Sequence, residues 1–108
     1  MLDRIAEILE SITGFANKVA YRAFPEGEAP SLPFICYLET GSNNFVADNV
    51  VYYSNRAIDI ELYSQYRDLE SEALIEEALN NNEIVWTRNV DYINSEQCYM
   101  TTYTIAED

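Results

Sequence analysis

The sequence predicts a single α+β domain over residues 1–108, a mostly antiparallel sheet with two helices on one face. Three observations carry this. Two segments place apolar residues at helical spacing, and five others alternate apolar and polar residues as strands do. The chain of 108 residues is 48% hydrophobic and 13% aromatic, enough for one core despite a net charge of -13. The order reads α-β-β-β-α-β-β, and runs of neighbouring strands favour antiparallel pairing with the second face left to water or a partner.

In the first helix, residues 2–13, Leu2, Ile5, Ala6, Ile8, Leu9 and Ile12 form a stripe opposite Asp3, Arg4, Glu7 and Glu10, and Gly14 ends it. A first strand spans Lys18 to Phe24, until Pro25, Gly27, Pro30 and Pro33 force a connector. The second strand is FICYLET, residues 34–40, with Gly41, Ser42, Asn43 and Asn44 expected to break it. The segment FVADNVVYY, Phe45 to Tyr53, is apolar at both ends around Ala47, Asp48 and Asn49, and reads as a hairpin tip or a mobile loop.

RAIDIELY, residues 56–63, is the clearest half-buried strand: Ile58, Ile60 and Leu62 alternate with Asp59, Glu61 and Tyr63. Asp68 is placed to cap a second helix over residues 69–79. There Leu69, Ala73, Leu74 or Ile75, Ala78 and Leu79 form the expected apolar stripe, with Glu70, Glu72, Glu76 and Glu77 outside it. Asn80, Asn81 and Asn82 stop the helix, and two more strands follow at Ile84 to Asn89 and Gln97 to Ile105.

Composition narrows the function. Six Lys and Arg against 19 Asp and Glu repel phosphate backbones and anionic lipid, so neither direct sequence-specific nucleic-acid binding nor a membrane is expected. No apolar run reaches membrane-spanning length, and the MLDRIAEILESI start lacks signal-peptide character, so the expected compartment is the cytoplasm. Cys36 and Cys98 are too few and too far apart for a disulfide scaffold or zinc knuckle, and are expected to be reduced core residues.

With no histidine, Ser-His and Cys-His catalysis are excluded, and the commonest transition-metal ligand is missing. Asp59 and Glu61 on one strand face could form a catalytic carboxylate pair, but a solvated strand face explains them more simply. Asp48 with Asn49, or Glu76 with Glu77, lack the ligand spacing of a calcium loop, and three isolated glycines cannot build a phosphate loop. The expectation is therefore no enzyme, cofactor or metal. Nine tyrosines, among them Tyr52, Tyr53, Tyr63, Tyr99 and Tyr103, fit either strands or an interface. The expected partner interface is Phe45, Val46, Asp48, Asn49, Val50, Val51, Tyr52 and Tyr53, ordering on assembly.

The segments PSLPFICYLET (30–40), RAIDIELYS (56–64) and DLESEALIEEAL (68–79) resemble tailed-phage neck proteins of the tail-completion, or tail-terminator, family. Pro33, Phe34, Ile35 and Tyr37 match that family's connector, and Ile58, Ile60, Leu62 and Tyr63 match the strand before its helix. The resemblance implies a homo-oligomeric ring, a hexamer in the virion, that caps the tail tube. Its partners would be tail-tube and head-completion proteins, met in the host cytoplasm during assembly and then in the virion neck. Two other classes stand beside it: an acidic DNA mimic that inhibits a basic nucleic-acid-binding protein, and a metal-dependent carboxylate enzyme.

Overall fold

A computed structural model describes residues 2–47 and 50–107. The elements are α1 (Leu2–Glu10), β1 (Val19–Tyr21), β2 (Phe34–Ala47), β3 (Val50–Ser64), α2 (Leu69–Asn81), β4 (Trp86–Ile93) and β5 (Cys98–Glu107), the α-β-β-β-α-β-β order expected. The five strands form one sheet ordered β1-β2-β3-β5-β4. The pairs β2–β3, β3–β5 and β5–β4 are antiparallel, whereas β1 runs parallel to β2, so the sheet is mixed. The long proline-containing connector carries the chain back to start β2 in the same direction as β1, which a tight hairpin cannot do.

Register explains the core. Ile35 sits opposite Leu62, Tyr37 opposite Ile60, Ile58 opposite Ile105 and Ile60 opposite Tyr103. These side chains share one face with Ile5, Ile8 and Leu9 of α1 and Ile75 and Leu79 of α2, in one buried cluster. Both helices thus cover the same face. α1 is shorter than its apolar stripe. Beyond Glu10 the chain continues in turns, with Phe15 N–H donating to the Ile12 carbonyl at 3.0 Å and Gly14 at φ 92°. Ile12 and Phe15 still reach the core.

Several boundaries move. β1 stops at Tyr21 because Arg22 turns to φ 68°, although its N–H still donates to the Tyr37 carbonyl at 2.8 Å. Gly41 to Asn44 do not break β2: the strand absorbs a register shift between Glu39 and Gly41 and continues to Ala47, as a β-bulge permits. β4 runs Trp86–Ile93, beginning later and ending later than expected, because Ile84 is spent closing α2: its N–H donates to the Leu79 carbonyl at 2.9 Å.

α2 begins where the Asp68 cap placed it. The Asp68 carboxylate accepts from the Ser71 N–H at 3.0 Å and from the Ser71 hydroxyl at 2.7 Å. Its asparagines end it slightly later than expected, at Asn81. The buried face differs from the expected stripe: Ser71, Glu72, Ile75 and Leu79 are buried, while Leu69 is 64% exposed and Ala73 is exposed. A carboxylate has taken a core position because it is fully paired.

Candidate interface: the hairpin arm and its polar clamp

β2 and β3 are the longest strands, and their far ends leave the sheet. β1 accompanies β2 only at Ile35 to Tyr37, and β5 accompanies β3 only from Arg56 to Ser64. Among the described residues, Asn43–Ala47 and Val50–Asn55 pair solely with each other, from Asn43 opposite Asn55 to Ala47 opposite Val50. The result is a two-stranded arm whose outer backbone edges carry no third strand. An unpaired edge offers a row of N–H and C=O groups for a further strand, and isolated two-stranded ribbons are marginal in water.

The expected interface falls on this arm. Phe45 pairs with Tyr53, Val46 with Val51 and Ala47 with Val50, so the described residues on either side of Asp48 and Asn49 are paired strands; Tyr52 is the extra residue at a second register shift. Asp48 and Asn49 lie outside the described residues.

The sheet face opposite the helices carries the other sequence candidates. Asp59 and Glu61 do share that face, but each is occupied: the Thr104 hydroxyl donates to Asp59 Oδ1 at 2.7 Å, and the Tyr63 hydroxyl donates to Glu61 Oε1 at 2.9 Å. Burial, with the Glu61 bond added, raises the Tyr63 phenol above its ordinary range. Phe34 stacks at a tilt on Tyr63 with centroids 5.2 Å apart, and Phe24 from the connector meets Phe34 edge-on at 5.3 Å. Cys36 and Cys98 are buried free thiols on this side. Burial, helped by the Glu61 charge, pushes the Cys36 thiol up to about 11, and burial raises Cys98 as well.

The most concentrated ionisable cluster lies on the helix side and escapes apolar periodicity. Glu72 is 2% exposed and is gripped by Arg67, whose Nε and Nη2 donate at 2.8 and 3.3 Å. Arg88 Nη1 lies 3.6 Å from Glu72 and donates to Glu76 at 2.7 Å. The Tyr103 hydroxyl donates to the same Glu76 oxygen at 2.7 Å, and its phenol is raised, first by burial and then by that bond. Two guanidinium groups and two carboxylates close on one another, so the cluster clamps α2 to β4 and β5. Its signal in the sequence is only the pair Glu72 and Glu76 at helical spacing; Arg67 and Arg88 come from other elements.

Among the described residues no group of three or more His, Cys, Asp or Glu is placed to hold a metal ion, and no helix is long and apolar enough to cross a membrane. No family model matches the chain, and no curated protein matches it significantly.

Proposed function

We propose that this chain is a structural protein of the head-tail neck of a long-tailed phage or prophage, of the tail-terminator or tail-completion kind. It acts by assembling into a ring through protein-protein contacts. The observation that carries this reading is the hairpin arm, a segment that contributes strand pairing to its own sheet only at its base and exposes open edges at its end. Such an arm can add strands or pack against a neighbouring subunit, which is how β-edge contacts build assemblies. The sequence resemblance at residues 30–40, 56–64 and 68–79 supplies the class of assembly.

The strongly acidic surface supports it further. A ring of subunits each carrying -13 repels DNA and would let it pass without adhesion. Deleting the gene from the phage that carries it is expected to leave filled heads and complete tails unjoined, restored by the wild-type protein. Normal particles from the deletion would exclude the neck role. Release of a nucleic-acid-binding protein from inhibition would point instead to the DNA-mimic reading.

A further inference from the structure

The five-stranded sheet ends in β1 on one side and β4 on the other, so each of these strands has a neighbour on one side only. β4 is eight residues long, pairs with β5 in unbroken register from Trp86 to Ile93 and holds no proline. Natural sheets blunt their edges with bulges, prolines or very short strands, and a long regular edge left open is a site for strand addition.

The two edges match in direction and in backbone groups. β2 runs with β1, and β3, β5 and β4 then alternate, so β4 of one copy laid beside β1 of the next, with the sheets in line, is an antiparallel neighbour. On β1 the Lys18 carbonyl accepts from the Ile35 N–H and the Arg22 N–H donates to the Tyr37 carbonyl, both at 2.8 Å. By alternation the backbone groups of Val19 and Tyr21 face away from β2. The Tyr21 carbonyl accepts from the Ala23 N–H at 2.8 Å, which leaves the Val19 N–H and C=O and the Tyr21 N–H aimed outward. Val19 and Tyr21 share the helix face with their partners Ile35 and Tyr37. In one sheet, strands of opposite direction aim the backbone groups of same-face residues to opposite sides. On β4, reversed and at the other edge, the outward groups are therefore again those of helix-face residues, Arg88 opposite Tyr103 and Val90 opposite Thr101.

Charge selects the register. Lys18 and Arg22, two of the chain's six cationic residues, bracket β1, and among the described residues neither forms a salt bridge. On β4, Asp91 is exposed and takes a neutral hydrogen bond from Asn89 at 2.8 Å. Setting Val19 against Val90 places Lys18 opposite Asp91 and Tyr21 opposite Arg88, whereas a shift of two residues either way places Lys18 opposite Asn89 or Ile93. We infer that β4 of one copy adds to the β1 edge of a second copy, antiparallel, with Val19 paired to Val90 and Lys18 opposite Asp91. The two edges are different patches on opposite sides of the sheet, so a copy joined through one keeps the other free. A head-to-tail contact of this kind generates rings when the rotation closes. The inference rests on the ring reading and adds to it the edges through which the ring closes.

The test is sedimentation of full-length variants at concentrations up to millimolar, with melting measured alongside. Wild type is expected to associate beyond a dimer. Lys18→Glu alone and Asp91→Lys alone each set like charges opposite one another across the joined edges, and each is expected to weaken association about tenfold while melting holds. Asp91→Lys is the sharper of the two, because it makes the chain less acidic, which by general repulsion alone would strengthen association. The double variant, Lys18→Glu with Asp91→Lys, exchanges the two charges and is expected to recover most of the loss at the net charge of wild type. Single variants that associate like wild type, or a double variant no stronger than the singles, overturn the edge contact and leave the ring to other surfaces. A wild type that is monomeric or stops at two also overturns it. The neck reading fails on a different result, normal particles from the deletion phage, and an edge contact measured by sedimentation would survive that failure.

Discussion

Glu72 shows how one polar residue can hold a core position. Removing Glu72 leaves Arg67 and Arg88 still able to reach water, whereas removing Arg67 leaves a carboxylate that is 2% exposed with only the longer contacts to Arg88 at 3.6 Å and the Thr101 hydroxyl at 3.4 Å. The two deletions should therefore differ. Arg67→Ala is expected to cost more stability than Glu72→Ala, because a poorly paired buried charge is dearer than an exposed one. Chemical denaturation of both variants checks the order, and a larger loss for Glu72→Ala would show that the carboxylate is held mainly by contacts other than Arg67. Cys36 gives a pH prediction of definite sign. Its thiol is raised to about 11 in the fold, so between roughly pH 9 and 11 the unfolded chain ionises while the folded chain does not. The stability that this thiol contributes is complete below about pH 9 and is lost as pH rises through that window, on the order of 2 kcal/mol. Cys36→Ala should flatten that part of the pH-stability curve, and native thiol labelling at neutral pH should be slow at both cysteines.

At the scale of elements, α2 depends on its cap and its clamp. Asp68→Ala removes both bonds to Ser71 and is expected to cost about 1 kcal/mol in thermal unfolding. The arm should behave in the opposite way. Its strands pair only with each other beyond Ser42 and Arg56, so Val50→Ser with Val51→Ser should leave the melting temperature nearly unchanged and abolish assembly. A collapse in melting would place both valines in the core. This contrast also explains what the sequence could and could not convey. The alternation of Ile58, Ile60 and Leu62 and the Asp68 cap were legible because a buried face and a helix start each demand particular residues at fixed spacing. Gly41 to Asn44 read as a break because a ribbon with no third strand places little demand on apolar alternation, and turn-forming residues fit a bulged strand as well as a loop. Glu72 was hidden for another reason: its partners Arg67 and Arg88 are joined only by tertiary structure. The parallel pairing of β1 was equally hidden, since three residues at a sheet edge carry no mark of direction.

For the whole molecule, charge and shape act together. With 19 acidic against 6 basic residues, the chain is expected to leave duplex DNA unshifted in gel mobility even at low salt, where weak electrostatic binding would be strongest. Retardation that disappears with added salt would reveal a basic patch that net charge conceals. The same acidity makes copies of the chain repel one another, so association should strengthen as salt screens that repulsion and the apolar arm contact survives. The proposed role is to end a phage tail as a ring. Its most direct measurement is electron microscopy of tails from the deletion phage after adding gold-labelled wild-type protein or the Val50→Ser, Val51→Ser variant. One ring of label at the head-proximal end of each tail with wild type, and bare ends with the variant, is the predicted result. Label scattered along the tail, absent with both proteins, or equal at that end for both would contradict it.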